Sequence, residues 1–135
     1  MADKNILTGI VVKGNQLGRK IGFPTANLIP GKDDKLLLKN GVYAVRVKVN
    51  RNTFDGMANI GIRPTLDQHD LTVEAHLFDF SDEIYGETIT ICFYDFIREE
   101  RKFSGMEELK FQLEKDKRTI SKILSDRVKP YTDTQ

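Results

Sequence analysis

What this chain has little of removes several classes of function. Cys92 is the single cysteine in 135 residues, so no disulfide can form within the chain. Its place in Ile91-Cys92-Phe93 predicts a buried thiol rather than a nucleophile. Histidine is scarce as well. His69 and His76 are the only two, they do not stand at zinc-ligand spacing, and His76 reads as a structural partner. No apolar run approaches the roughly 20 residues that a membrane-spanning helix needs, and no basic-then-apolar leader opens the chain. The expectation is therefore a soluble, cytoplasmic protein. Charge of one sign is not in excess, at 21 basic against 20 acidic residues, which argues against a nucleic-acid or membrane partner. No basic stripe interleaved with aromatics changes that conclusion.

What is present is enough for one domain over residues 1–135 with its own core. Ile6–Val12 reads as a first strand. From Gly41, Tyr43, Val45, Val47 and Val49 alternate with Ala44, Arg46 and Lys48, the period of two that marks a half-buried strand. Asn50-Arg51-Asn52 then turns into a strand over residues 53–60, and Gly61, Pro64 and Asp67 mark a loop. In the next strand Leu71, Val73, Ala75 and Leu77 form one face, and Thr72, Glu74 and His76 the other. Residues 79–87 read as a solvated acidic turn, and residues 88–97 as the last long strand. Five or six strands with no helix between them predict an antiparallel barrel or sandwich. Ser104 and Glu107 have the spacing of a capping box, and Met106, Leu109, Leu113, Ile120 and Leu124 recur at helical period, so one amphipathic helix closes the chain.

The stretch with the densest chemistry is Gly22-Phe23-Pro24-Thr25-Ala26-Asn27. Gly22 permits backbone angles that a Cβ forbids, and Pro24 stiffens the chain that presents Thr25 and Asn27. A hydroxyl and an amide oxygen are hard neutral donors, of the kind Mg²⁺ accepts beside waters and phosphates. The preceding segment carries Gly14, Gly18, Arg19 and Lys20, which suits a loop that cradles phosphate oxygens. It is not a Walker loop, because Gly14 and Gly18 are too close and Ile21 follows Lys20. Read locally, a Pro-Thr-x-Asn stretch also makes an ordinary turn.

Taken together, Gly9 to Leu28 resembles the nucleotide-binding signature of riboflavin kinases, free-standing or as the C-terminal module of bacterial bifunctional FAD synthetases. Further landmarks of that family follow in order: Gly41-Val42-Tyr43-Ala44-Val45, Ala58-Asn59-Ile60-Gly61-Ile62-Arg63-Pro64-Thr65, Val73-Glu74-Ala75-His76-Leu77, Tyr85-Gly86, and Phe96-Ile97-Arg98-Glu99-Glu100 with Phe103. The resemblance implies a mainly β fold, a six-stranded antiparallel Greek-key barrel over about 6–98 with a C-terminal α-helix over about 105–126. It also implies ATP-dependent phosphorylation of riboflavin to FMN, with riboflavin and ATP as substrates and Mg²⁺ or another divalent ion as cofactor.

A kinase acting on an alcohol needs a phosphate cradle, a metal and a proton acceptor. Glu74 is the candidate base, since a flexible carboxylate in mid-strand is not the choice of β propensity, and the resemblance puts the family's base at that position. A solvated strand face is the competing reading. Gly14, Gly18, Arg19, Gly22, Thr25 and Asn27 are the nucleotide-binding candidates, with Thr25 and Asn27 also holding the metal. Arg98, Arg101, Phe103 and Met106, around a helix start, are the flavin-binding candidates, although Phe103 and Met106 could equally anchor the helix to the core. The glycine-rich loop and residues 98–103 are expected to order on substrate binding. Nothing resembles an adenylyltransferase motif, so this chain is expected to stop at FMN, with such a domain linked N-terminally in a longer parent as a possible partner. The alternative function is a non-catalytic flavin- or nucleotide-binding barrel.

Overall fold

A computed structural model describes residues 5–13, 17–30, 38–64 and 69–127. Six strands are formed: β1 (Ile6–Val12), β2 (Ala26–Pro30), β3 (Gly41–Val49), β4 (Asn52–Pro64), β5 (His69–Leu77) and β6 (Thr88–Arg98). Two helices accompany them, a single turn α1 (Leu17–Lys20) and the long α2 (Met106–Ser125). The strands close a barrel in the order β1-β2-β5-β4-β3-β6, with every neighbouring pair antiparallel. β3, β4 and β5 follow one another as hairpins while β6 returns to lie beside β3, which is the Greek-key order.

Parity along the strands divides the molecule into two cores. Leu7, Val11, Leu28, Val45, Val47, Ile60, Val73, Ala75, Ile89 and Ile91 point into the barrel and are buried together. On the outer face, Phe23, Val42, Ala44, Met57 and Phe78 meet Ile120 and Leu124 of α2 in a second cluster. The helix thus covers one side of the barrel instead of plugging an end.

Several local expectations are corrected. β2 begins at Ala26, so of the Pro24-Thr25-x-Asn27 stretch, for which an ordinary turn was the competing local reading, Asn27 stands in a strand. β4 runs on to Pro64, so Gly61 and Pro64 belong to a strand rather than a loop, and β5 already begins at His69; Asp67 lies outside the described residues. Part of the expected glycine loop is the helical turn α1. β3 is buried on both faces as far as Val47, not on one. The reason is α2: buried Arg46 donates to the carbonyls of Leu124 at 2.7 Å and Arg127 at 3.1 Å, and pairs with Asp55 Oδ1 at 3.1 Å. The Leu124 carbonyl belongs to the last turn of α2, where it also accepts from the Arg127 N–H at 3.0 Å, and Arg127 follows the C-cap Asp126; a cation at this end is favoured by the helix dipole as well. The capping box is shifted by one residue. The N-cap is Gly105 with no side-chain cap, and Glu108, not Glu107, accepts from the Ser104 N–H at 2.8 Å and hydroxyl at 3.2 Å. Cys92 is only partly buried, and that burial pushes its thiol above the usual range, against a nucleophilic role.

Candidate functional site

The register of the sheet assembles the site. On the outer face, Asn27 of β2, Glu74 of β5, Asn59 of β4, Val42 of β3 and Arg98 of β6 are successive cross-strand partners. Directly opposed residues of antiparallel strands share a face, so this row sets a carboxylate between two carboxamides and ends at a guanidinium. Residues Glu74 and His76 face outward for the same reason that Val73 and Ala75 face the core.

A cavity of about 300 Å³ opens over this row between the barrel, the β6–α2 connection and the helix. Phe23, Val42, Met57, Leu109 and Leu113 give it an apolar floor and side, and Phe103 covers it from the connection. Its polar groups are Thr25, Asn59, Glu74, His76, Arg98, Glu100 and Arg101. Thr25 donates its hydroxyl hydrogen to Glu74 Oε1 at 3.2 Å. His76 is held from below: its Nδ1 lies 2.7 Å from the Pro24 carbonyl, which can only accept, so Nδ1 carries the proton. The ring leans on Phe23 and Phe78. Burial lowers the His76 pKa, outweighing the Pro24 hydrogen bond that raises it, and Lys117 lowers it further.

The guanidinium groups are fixed from α2. Arg98 reaches Asp116 with Nε at 3.0 and 3.1 Å and with Nη2 at 2.8 Å, and Gln112 donates to the same carboxylate at 2.8 Å. Asp116 is 2% exposed, so its charge is acceptable there only because it is paired and hydrogen-bonded. Arg101 is tied to Gln112 Oε1 at 2.9 Å and lies over the Phe103 ring at 4.6 Å.

A second cavity, of about 260 Å³, adjoins the first. Thr25 lines both. Its other walls are Val11, Arg19, Pro24, Ala26, Ala75, Leu77 and the residues from Phe80 to Tyr85. The 79–87 segment is held to the barrel by the Gly86 N–H on the Val11 carbonyl at 2.8 Å and the Val11 N–H on the Glu87 carbonyl at 2.9 Å. Phe80 stacks edge-on against Phe54, and the Tyr85 hydroxyl takes a long hydrogen bond from Arg19 at 3.5 Å. Asp82 and Glu83 remain exposed, but they line this cavity as well as facing water.

The structure therefore brings Thr25, Glu74, Arg98, Arg101 and Phe103 to one cavity and Arg19 to its neighbour. Asn27 lies beside Glu74 in the row without lining either cavity. Gly22 has φ +88°, which asks for glycine although a Cβ would meet nothing within 4 Å. Gly18 lies within α1, and Gly14 is outside the described residues. Met106 stands at the exposed first turn of α2, away from the cavity lining. Asn59, Glu100, Asp116 and Phe80 are site residues that sequence reasoning did not single out. Among them only Asn59 carried a local signal, a carboxamide inside a run of apolar strand residues.

Among the described residues no group of three or more His, Cys, Asp or Glu side chains could hold a metal by itself. The donors present still fit a cation that brings most of its shell with it. The Thr25 hydroxyl spends its hydrogen on Glu74, which leaves its lone pairs free, and Asn27 adds a carboxamide in the adjoining strand. No described helix is long and apolar enough to cross a membrane.

The sequence model of the Flavokinase family, described as riboflavin kinase, matches residues 2–124. A Bacillus subtilis (strain 168) protein named bifunctional riboflavin kinase/FMN adenylyltransferase is 43% identical over 124 residues, covering 89% of this chain and 39% of that protein. A Streptococcus pneumoniae chain described as a macrolide-efflux protein superposes with a TM-score of 0.80 at 38% identity, over 86% of this chain and 38% of that one. The crystal structure of riboflavin kinase from Trypanosoma brucei superposes with a TM-score of 0.65 at 27% identity, over 90% of this chain and 80% of its own. The chain spans 34–50% of the length of the first three curated relatives it matches.

Proposed function

The chain belongs to the riboflavin kinase family, and from that premise we propose that it transfers the γ-phosphoryl group of ATP to the 5′-hydroxyl of riboflavin, giving FMN and ADP. The observation that carries this reading is Thr25, the residue common to two adjoining cavities and hydrogen-bonded to the carboxylate of Glu74. Phosphoryl transfer between two substrates needs such a junction, with a proton acceptor on one side and phosphate-binding groups on the other.

Riboflavin takes the larger cavity. Its ring lies against Phe23, Met57, Leu113 and Phe103, with Arg98 and Arg101 at its polar edge, and its ribityl chain runs along the Asn59–Glu74 row towards Thr25. Met106, at the exposed start of α2, belongs to the rim of this site at most. ATP takes the second cavity, with the base against Phe80 and Tyr85 and the phosphates directed towards Arg19, Gly18, Gly22 and Thr25; Gly14 completes this loop in sequence. Glu74 accepts the proton of the 5′-hydroxyl as that oxygen bonds to the γ-phosphorus and the bond from phosphorus to the ADP oxygen breaks. Thr25 and Asn27 would hold Mg²⁺ or another divalent ion, which when bound neutralises charge on the phosphate oxygens. Arg98 and the apolar wall exclude water, which would otherwise compete with riboflavin for the phosphoryl group. An adenylyltransferase domain in a longer parent chain would be the partner that consumes the FMN.

Incubation of the protein with riboflavin, ATP and Mg²⁺, followed by separation of the flavins, tests the proposal. FMN and ADP in equal amounts are expected. Riboflavin that binds yet is recovered unchanged would favour the non-catalytic binder and overturn the kinase.

A further inference from the structure

Asn59 sits in the middle of β4 as the direct cross-strand partner of Glu74, and its side chain lines the larger cavity. The two ends of its carboxamide have different fates. Nδ2 donates to Glu100 Oε2 at 2.9 Å. An ionised carboxylate can only accept, so this contact fixes which end of the amide is which, and the oxygen must point the other way. That oxygen, Oδ1, is buried and has no hydrogen-bond partner, the one such side-chain atom among the described residues.

A buried acceptor without a donor is costly, and one that stands at a cavity wall calls for a partner. Donors that line the same cavity are engaged elsewhere: Arg98 with Asp116, Arg101 with Gln112 and the Thr25 hydroxyl with Glu74. Oδ1 is buried at the cavity wall without a protein donor, so a group entering the cavity can supply its hydrogen bond directly or by displacing a water. A small rotation about the soft terminal torsion of asparagine is enough to aim it.

We infer that Asn59 is a specificity-determining residue that reads the polyol chain of the substrate. Its Oδ1 accepts a hydrogen bond from the 4′- or 3′-hydroxyl of the ribityl group. The inference rests on the kinase reading and deepens it. If the 5′-hydroxyl lies at Glu74, the next acceptor along the row is one strand away, about 4.8 Å. Hydroxyls on the next one or two carbons of an extended polyol span that distance. The flavin ring, which lies further from Glu74, is then held mainly by apolar contact, so Asn59 distinguishes a hydroxylated chain from a reduced one. A site built to pair with a hydroxyl rejects an analogue that lacks it, because the protein acceptor is left unpaired.

The test is a cycle between protein and ligand. Binding and kcat/KM are measured for the wild-type chain and for Asn59→Leu, with riboflavin, with its 2′-, 3′- and 4′-deoxy analogues and with N3-methylriboflavin. Asn59→Ala serves if the leucine variant fails to fold, and ratios taken within one protein do not depend on its folded fraction. The wild type should bind the 4′- or 3′-deoxy analogue about five- to tenfold more weakly than riboflavin, and the variant should show a ratio near one for that same analogue. Ratios that are the same in both proteins for all three deoxy analogues would overturn the inference while leaving the kinase intact. A coupling seen only with N3-methylriboflavin would also overturn it, by moving Asn59 to the ring. If the wild type neither binds riboflavin nor forms FMN, the functional reading falls and this inference with it.

Discussion

The two cavities that meet at Thr25 are built in different ways. The larger one is made by register: Glu74, Asn59 and Arg98 lie where pairing across β5, β4, β3 and β6 puts them, and α2 locks the last of them through Asp116. The smaller one is made largely by connections, Arg19 of α1 and the segment from Phe80 to Tyr85, the latter followed directly by Gly86 and Glu87, whose backbone bonds to Val11 pin it to the barrel. A wall set by a sheet cannot move without breaking many ladder bonds. A wall set by a loop can. Under the proposed assignment, a proton acceptor that must be placed accurately stands on the sheet, and a nucleotide that must enter and leave meets the connections.

Substitutions that strike one side and spare the other would break or sharpen this contrast. The largest effect is expected at Glu74. Glu74→Gln keeps size and hydrogen-bonding reach, so kcat should fall on the order of 10²–10⁴-fold while both affinities and the melting temperature change little. An unchanged kcat would remove Glu74 from the mechanism and leave it as an outward-facing strand residue.

Next in size is the lock on the larger cavity. Asp116→Ala strands Arg98 beside α2, and removal of one partner from a buried pair costs about 3–5 kcal/mol. Arg98 is 18% exposed, so the lower end of that range is expected. Thermal denaturation should show the loss, and titration should show weakened riboflavin binding with ATP binding retained in the folded fraction. Equal losses for both substrates would mean that the helix supports the whole barrel rather than one cavity.

Phe80→Ala is the mirror experiment. It should raise the KM for ATP several-fold, consistent with the roughly 1–3 kcal/mol that stacking on an aromatic ring contributes per base, and it should leave the KM for riboflavin alone. A change confined to riboflavin would exchange the two assignments.

The smallest effect concerns His76. Its folded pKa lies below the ordinary 6.5 because burial disfavours the charged ring. The unfolded chain therefore binds the extra proton more readily. Its contribution to stability is complete above the unfolded pKa of about 6.5 and is lost as pH falls through the folded value. Melting temperature should drop on acidification below about pH 6.5, and His76→Gln should flatten that slope. A slope unaltered in the variant would assign the acid sensitivity to other groups.

Legibility in the sequence follows the same division. Outward placement of Glu74 could be read because alternation of Val73, Ala75 and Leu77 with polar neighbours survives in β5 without interruption. Strand periodicity left a barrel and a sandwich both open, and the family resemblance singled out the six-stranded barrel that is found; the terminal helix was legible from Leu109, Leu113, Ile120 and Leu124. The groups that complete the site were not. Asp116 and Arg46 are charges on faces that are buried, and their partners lie 18 and 78 residues away in the chain; a local pattern reads such residues as solvated. The 79–87 segment reads as an acidic turn because its composition is polar, and only its backbone contacts with Val11 turn it into a wall. β2 is hidden because its Asn27 and the preceding Pro24 and Thr25 favour turns, and it is a strand only because β1 and β5 supply ladders on both sides.

The way α2 is fastened has a mechanical consequence. Arg98 of β6 holds Asp116 near the middle of the helix, and Arg46 of the neighbouring β3 holds the carbonyls at its C-terminal end. A rod pinned at two points, with Ile120 and Leu124 buried between and beside them, cannot swing outward about one hinge. Admission of a guest to the larger cavity then falls to residues 99–105, whose ties to the rest of the protein are mostly exposed side-chain contacts. Amide hydrogens in the second half of α2 would exchange only through openings close in free energy to global unfolding, and those of residues 99–105 would exchange through low-energy local openings. The entrance and the wall would thus respond to heat and denaturant as two separate populations.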